Sequence, residues 1–331
     1  MTSHLTSALA RLAATGMDNN HEVLPPSVAS MVEKFQHGVP RRFQFLLVML
    51  VQKQHFIHVQ HLSAQNPSWA ARLRSASAPG AHHWLTTLPT SRDLTMMDAH
   101  SKIAVRLLLG LPPHPTGANQ QPPPCFFCRR PMRSDPWHPL HCLFQASHGK
   151  SDQHNQIRDK LHEFCEKAGL GNARIEPRDY LSVCAVRPDL SVCFDSGVHT
   201  VDVSGTDPCA PSLVAAVARR TLSAASAREQ TKITQYGPMV AAFGVQFSPF
   251  VFETHGGLGD KAMEFVDKLS LHAAARPGAS SRGNFRFHLL SSLSVIIQRA
   301  NAQLVAHHYV QSYDASRYQP GRVLQVGGAG A

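Results

Sequence analysis

Apolar residues recur at helical spacing over most of the first 111 residues. Between His21 and Ser63 they return every three or four positions, which is typical of helices with one buried face. A second helical block runs from Ser91 to Leu109 and stops at Gly110, the residue type that most readily closes a helix. We therefore predict that residues 1–111 form a helical region, and that the Pro-rich residues 112–124 form a linker.

The pattern changes after residue 150, where short β-favouring runs alternate with helical ones. A hairpin turn is predicted at Asp195–Gly197, between two of these runs. The predicted strands are Tyr180–Val186, Leu190–Phe194, Val198–Val203 and Gln246–Glu253, and the predicted helices are Asp152–Gly169, Pro211–Tyr236, 259–274 and 286–308. This order predicts an α/β or α+β domain over residues 150–310, with a mixed sheet flanked by helices. The Gly-rich end, residues 311–331, is predicted to be disordered.

The composition is compatible with an enzyme or a binding protein of ordinary size. The chain has 331 residues, of which 43% are hydrophobic and 16% are charged, against about 25% charged residues in a typical domain. Its longest apolar run falls short of the roughly 18 residues that a membrane helix requires. The N-terminus does not have the continuous apolar segment of a secretory signal. We therefore expect an intracellular protein, nuclear or cytoplasmic, with no membrane segment.

The net charge of +10 is unevenly distributed along the chain. Residues 1–150 contain 14 Lys and Arg against 6 Asp and Glu, whereas residues 151–331 contain 18 against 16. A basic region beside a nearly balanced one is typical of a polyanion-binding module joined to a catalytic one. The expected partner is DNA, with RNA as the alternative. On charge alone, a solvated basic face without a partner accounts for the distribution equally well.

Three cysteines and a histidine within eighteen residues have the spacing of a zinc site. The motif is Cys125-x2-Cys128-x9-His138-x3-Cys142, and the short Cys-x2-Cys turn lets two thiolates share one tetrahedral ion. We predict a CCHC zinc knuckle over residues 125–148. Because the seven cysteines of the chain accompany no secretory signal, metal ligation fits them better than a disulfide framework does.

Other assignments remain open at this stage. His141 and His148 are alternative nitrogen ligands, although His141 adjoins Cys142 and would crowd it. The cysteines could also be unrelated buried or reactive residues. Neighbouring arginines would put positive charge on the surface of the knuckle, as a phosphate-binding element requires.

Two aspartates in the β-favouring region suggest a second site. Asp189 precedes one predicted strand and Asp202 lies in the next, thirteen residues later, so an antiparallel hairpin would bring both side chains to one end of the sheet. Paired carboxylates repel unless a cation lies between them, and oxygen ligands suit Mg²⁺. Lys232, on the following predicted helix, could supply an ammonium group to a phosphodiester. The alternative is structural, with the aspartates in turns and at a strand end.

The order of several motifs resembles the C-terminal part of non-LTR retrotransposon polyproteins, namely their linker, CCHC zinc knuckle and restriction-like endonuclease. The motifs are Cys125-x2-Cys128, Asp135-x2-His138-x3-Cys142, His154-Asn155, Glu176-Pro177, Arg187-Pro188-Asp189-Leu190, Val201-Asp202-Val203, Glu229-x2-Lys232-x3-Tyr236 and Pro249 to Thr254. The resemblance implies a PD-(D/E)XK fold, with Asp189 and Asp202 as magnesium ligands. It also implies that Lys232 is the catalytic lysine and that Tyr236 is the tyrosine that accompanies it.

The sequence departs from this family in two respects. Ser204 stands where the basic nuclease pattern has lysine, and the 124 residues before the knuckle contain no reverse transcriptase motif. Glu176, Glu163 and Glu253 are the acidic residues that could complete the metal site. We expect a Mg²⁺-dependent DNA endonuclease. The alternatives are a catalytically inactive zinc-binding remnant that binds nucleic acid, and a structural or protein-binding role without DNA contact.

Overall fold

The structure, a computed structural model, describes residues 56–59, 61, 63–113, 122–133, 135, 137–142, 149–177 and 187–317. The chain divides into two units, Met1–Asn66 and Pro67–Ala331. The first 55 residues of the predicted helical region lie outside the described residues. So do most of the Pro-rich linker, residues 143–148 of the knuckle and the predicted strand Tyr180–Val186.

Helices and strands of the second unit follow one another in a mixed order. Its first helices are α1 (Pro67–Ala76), α2 (His83–Thr86), a 3-10 turn (Arg92–Leu94), α3 (Asp98–Leu109), α4 (His138–His141) and α5 (Gly149–Lys167). Three strands follow, β1 (Arg174–Ile175), β2 (Leu190–Phe194) and β3 (Gly197–Thr206). The remaining elements are α6 (Val214–Val217), α7 (Ser223–Ala241), β4 (Gln246–Glu253), α8 (Asp260–Ala274) and α9 (Arg282–Arg317).

The four described strands form one mixed sheet in the order β1-β2-β3-β4. The first three are antiparallel, and the β2–β3 hairpin pairs Leu190 with Val201 and Phe194 with Gly197. Gly197 has a φ of 111°, a conformation that favours glycine and that the tight turn requires. Strand β4 runs parallel to β3 after the helical crossover through α6 and α7. The predicted α/β class and the predicted hairpin are both confirmed.

The main hydrophobic core lies where the sheet meets α5, α8 and α9. Val192 and Val201 of the sheet are fully buried in it, together with Leu161 of α5, Leu269 of α8 and Leu293 of α9. Helices α5 and α8 have apolar residues three or four positions apart, so that one face is buried and the other is solvated. Helix α9 is instead buried on all sides from Leu289 to Gln298. The burial of one such leucine or valine stabilises the fold by about 1.5–3 kcal/mol.

The structure differs most from the prediction at the helix after the hairpin and at the C-terminal tail. The helix predicted over Pro211–Tyr236 is two helices, α6 and α7, because Leu222 between them has a φ of 59° in the left-handed region. The disordered tail predicted from residue 311 begins too early, since α9 continues to Arg317. Tyr309 and Ser312 are buried near its end, and this tertiary packing extends the helix beyond the point where the sequence pattern weakens.

The buried face of α8 provides a direct test of the core. Leu269→Ala removes a fully buried side chain and should lower the free energy of unfolding by about 2–5 kcal/mol. The control is Leu271→Ala, two residues later on the same helix, where the side chain is 59% exposed and the change should be within about 0.5 kcal/mol. Urea denaturation measures both, and equal losses would contradict the assigned faces of α8.

Candidate functional site

The predicted zinc ligands lie together in the structure. The Sγ atoms of Cys125 and Cys142 are 3.8 Å apart, and Cys128 Sγ is 3.0 Å from His138 Nε2. All four ligand atoms lie within 4.8 Å of one another. Two sulfurs bound at about 2.3 Å to one tetrahedral zinc are separated by about 3.8 Å, so the thiol pair already has the required spacing. The cluster could bind a metal such as zinc.

Local backbone geometry produces this arrangement. Residues 125–130 form a tight turn in which the N–H of Arg129 donates to the carbonyl of Cys125 at 2.9 Å, and the N–H of Cys125 donates to the carbonyl of Arg130 at 2.8 Å. The N–H of Cys128 also points at the sulfur of Cys125, at 3.3 Å. His138 and Cys142 lie at the two ends of the single-turn helix α4, and four residues of helix return both to one side.

The knuckle packs against the C-terminal half of α9 and the buried face of α3. Its Met132 and Leu140 share a hydrophobic cluster with Leu107 of α3 and with Val305 of α9. The N–H of Phe126 donates to Ser312 Oγ of α9 at 3.1 Å. The knuckle therefore has an apolar contact surface in addition to its metal ligands, which its short sequence does not reveal.

Burial sets the protonation of the candidate ligands. It raises the pKa of the Cys125 thiol to about 11, and it lowers the pKa of the His138 imidazole. A neutral imidazole is the form that binds a metal, whereas the thiols must lose their protons to do so. Metal binding at this cluster should therefore release protons.

His141, one of the alternative zinc ligands considered from the sequence, has other partners in the structure. Its Nε2 atom is 2.7 Å from Asp135 Oδ2, and its Nδ1 atom is 3.3 Å from Asp207 Oδ2. Burial opposes the charged imidazole, but the two carboxylates outweigh it and raise the pKa of His141 to about 9. Because Asp207 follows β3, this ion pair connects the knuckle with the C-terminal end of β3.

The two predicted catalytic aspartates also meet. The N–H of Asp189 donates to the carbonyl of Val201 at 3.0 Å, which places Asp189 beside Asp202 on the neighbouring strand. Asp189 Oδ2 accepts hydrogen bonds from the N–H of Val203 at 2.7 Å and from His154 Nε2 at 2.9 Å. Both aspartate side chains are 16% exposed. Most of each side chain is therefore buried, and the Oδ2 atom of Asp202 is fully buried.

Lys232 reaches this pair from α7. Its Nζ atom lies 2.8 Å from Asp202 Oδ2, and it also lies 5.1 Å from the centre of the Tyr236 ring, one turn further along the helix. The Tyr236 ring packs edge-on against Phe247 of β4, with the ring centres 5.9 Å apart. The structure thus brings together all four residues that the sequence assigned to this site.

The acidic site contains two ion pairs, His154 with Asp189 and Lys232 with Asp202. Burial and the neighbouring charge of Asp189 raise the pKa of Asp202, and Lys232 opposes this effect. The hydrogen bond to Asp189 raises the pKa of His154, against the effect of its burial. His154 was noted in the sequence only as part of a motif, and no spacing rule would have identified its contact with Asp189, 35 residues away.

The other acidic residues considered for this site have different partners. Glu176 pairs with Arg158 and Arg187, and Glu163 pairs with Lys160 and Lys167. Glu253 is fully buried and accepts a hydrogen bond from the N–H of Ala225 at 3.2 Å. Among the described residues, no third histidine, cysteine or acid joins Asp189 and Asp202 in a compact ligand set. A cation bound by these two carboxylates would therefore need further ligands from water or from a bound substrate.

Ser204, the departure from the basic nuclease pattern, contacts a different cation. Its hydroxyl accepts a hydrogen bond from Arg228 Nε at 3.0 Å, one turn before Lys232 on α7. A guanidinium group therefore approaches the position where the family pattern has lysine.

No protein-family model matches the sequence, and no curated protein matches it either. Within the part of the chain that the structure describes, no helix has the length and apolar character needed to cross a bilayer.

The knuckle leads to a prediction about metal content. Cys128→Ser should lower the zinc bound per chain by one equivalent, because three ligands hold the ion much less tightly than four. Elemental analysis of the purified protein measures this loss, and circular dichroism should show that the sheet is retained. The control is Cys193→Ser, which replaces an exposed cysteine of β2 and should leave the zinc content unchanged. Unchanged zinc in Cys128→Ser would remove this residue from the ligand set.

Proposed function

We propose that the chain is a Mg²⁺-dependent DNA endonuclease of the restriction-like type, related to those of non-LTR retrotransposon polyproteins. The observation that supports the proposal best is the meeting of Asp189, Asp202 and Lys232 at one end of the β2–β3 hairpin. These residues come from two neighbouring strand segments and a helix, and they are three of the four, with Tyr236, that the family resemblance assigned to this site.

Each residue of this set would have its own part in phosphodiester hydrolysis. A magnesium ion bound there would polarise the phosphate and lower the pKa of the attacking water. The two carboxylates would hold it, in agreement with the one or two protein carboxylates plus substrate phosphates that Mg²⁺ commonly uses. Lys232 would place its ammonium group at the scissile phosphate, and His154 would keep the Asp189 carboxylate oriented.

The surface of the knuckle suits contact with the DNA backbone. Arg129, Arg130 and Arg133 are all exposed around the Cys-x2-Cys turn, and Arg129 lies over the Phe126 ring at 5.6 Å. Guanidinium groups bind phosphate oxygens without regard to base sequence. The knuckle would therefore contribute affinity for DNA rather than recognition of a target sequence.

Lys232 provides the test of catalysis. Lys232→Met keeps the aliphatic stem but removes the charge, and it should slow cleavage by about 100-fold or more while DNA affinity stays nearly constant. Plasmid nicking in Mg²⁺ and in Mn²⁺ measures the rate, and filter binding measures the affinity. The control is Lys261→Met, which removes a partly exposed lysine of α8 that pairs with Glu264. A collapse of affinity in Lys232→Met would make this lysine a phosphate anchor instead.

A second candidate is a zinc-binding nucleic-acid module that no longer cleaves. The serine at position 204 and the engagement of Lys232 by Asp202 favour it. This protein would bind DNA with a strong dependence on salt and would keep that binding in Asp202→Ala. If the wild-type protein leaves plasmid uncut in both metals, and Asp189→Ala behaves identically, the nuclease proposal fails and this one stands.

A further inference from the structure

The carboxyl ends of the parallel strands β3 and β4 bring a second set of metal-ligating side chains together. Thr206 pairs with Glu253 at the end of the two strands, and the N–H of Thr254 donates to the carbonyl of Thr206 at 2.9 Å. The loops that follow are held side by side as a result. One carries Asp207 and Cys209, and the other carries His255.

These three side chains converge within the span of one coordination sphere. Cys209 Sγ lies 3.8 Å from His255 Nε2, and the ligand atoms of all three residues lie within 4.8 Å of one another. A sulfur at about 2.3 Å and a nitrogen at about 2.0 Å from a tetrahedral zinc are about 3.5 Å apart. The observed spacing is close to that value without any movement of the backbone.

We infer that Asp207, Cys209 and His255 form a second zinc site, separate from the knuckle. One thiolate, one imidazole and one carboxylate are ligands that zinc accepts together, and three protein ligands are the number found at zinc sites with an open position. The carboxylate and the thiolate would neutralise the two charges of the ion. An overall neutral complex suits a buried position.

The surroundings of the three side chains are those of a preformed site. The Asp207 side chain is 9% exposed and His255 is 8% exposed. Asp207 Oδ1 accepts a hydrogen bond from the N–H of Cys209 at 3.0 Å, which fixes the carboxylate. Within the described residues Asp207 Oδ2 has no hydrogen-bond partner of good geometry, although His141 Nδ1 lies 3.3 Å away as an ion-pair partner. The Cys209 thiol also donates to the carbonyl of Ser68, at 3.6 Å.

A metal here would link two parts of the fold. The ligands follow β3 and β4, and Asp207 also contacts His141 of the knuckle helix α4. The ion would therefore link the loops at the C-terminal ends of β3 and β4. Through Asp207 it would also stabilise the position of the knuckle. This inference does not depend on the proposed nuclease activity, because it concerns metal content alone.

The experiment counts zinc in the full-length protein after dialysis against metal-free buffer. The wild-type chain should hold two equivalents of zinc, His255→Ala one and Cys128→Ser one, and the double variant none. His272→Ala is the matched control and should hold two. One equivalent in the wild type, or two in a folded His255→Ala, would overturn the inference. The wild-type count is decisive even where His255→Ala fails to fold.

Cobalt substitution identifies the ligands independently. The thiolate-to-cobalt absorption of the wild-type protein should reflect four thiolates, three from the knuckle and one from Cys209. Cys209→Ser, a substitution of similar size, should therefore lower this absorption by about one quarter. An unchanged spectrum in folded Cys209→Ser would show that this thiol binds no metal.

Discussion

The pairing of β3 with β2 on one side and with β4 on the other determines where the charged side chains of this protein meet. The register Leu190 to Val201 puts Asp189 beside Asp202, and the register Thr206 to Glu253 puts the loops after β3 and β4 together. A slip of one residue in either pairing would turn the side chains of that strand to the opposite face of the sheet. The buried apolar faces of β2 and β3 prevent such a slip, so the hydrophobic core determines the geometry of the polar sites.

The 36-residue helix α9 packs against both the sheet and the knuckle. Leu293 lies in the main core beneath the sheet, whereas Val305 and Tyr309 lie in the cluster beneath the knuckle. The same helix therefore connects the main core with the cluster beneath the knuckle. The ion pair of His141 with Asp207 adds a polar contact between the same two parts. The position of the knuckle relative to the sheet is thus fixed by apolar packing and by charge, and not by its metal ligands alone.

The sequence predicted what depends on local chemistry. The Asp195–Gly197 turn, the alternation of apolar residues beside it and the Cys-x2-Cys spacing each specify a structure within a few residues. Lys232 was suggested by its place on the helix after the two strands and by the family resemblance, but no local rule places a helix side chain against a strand. The contacts of His154 with Asp189 and of His141 with Asp207 join residues 35 and 66 positions apart. Such contacts follow from the packing of whole elements, which short-range patterns do not specify.

The charges around Asp189 and Asp202 bear on how a cation would bind there. Two neighbouring carboxylates, each largely buried, are unfavourable unless positive charge compensates them. The described residues provide this compensation through His154 and Lys232, and they bring no third acid to the pair. A divalent ion would thus compete with two cations of the protein for only two carboxylates. On the proposed function, phosphate oxygens of bound DNA would supply the remaining ligands, and they would also draw Lys232 away from Asp202. Metal and DNA should then bind cooperatively, because the phosphate oxygens of the DNA would complete the ligand set of the metal.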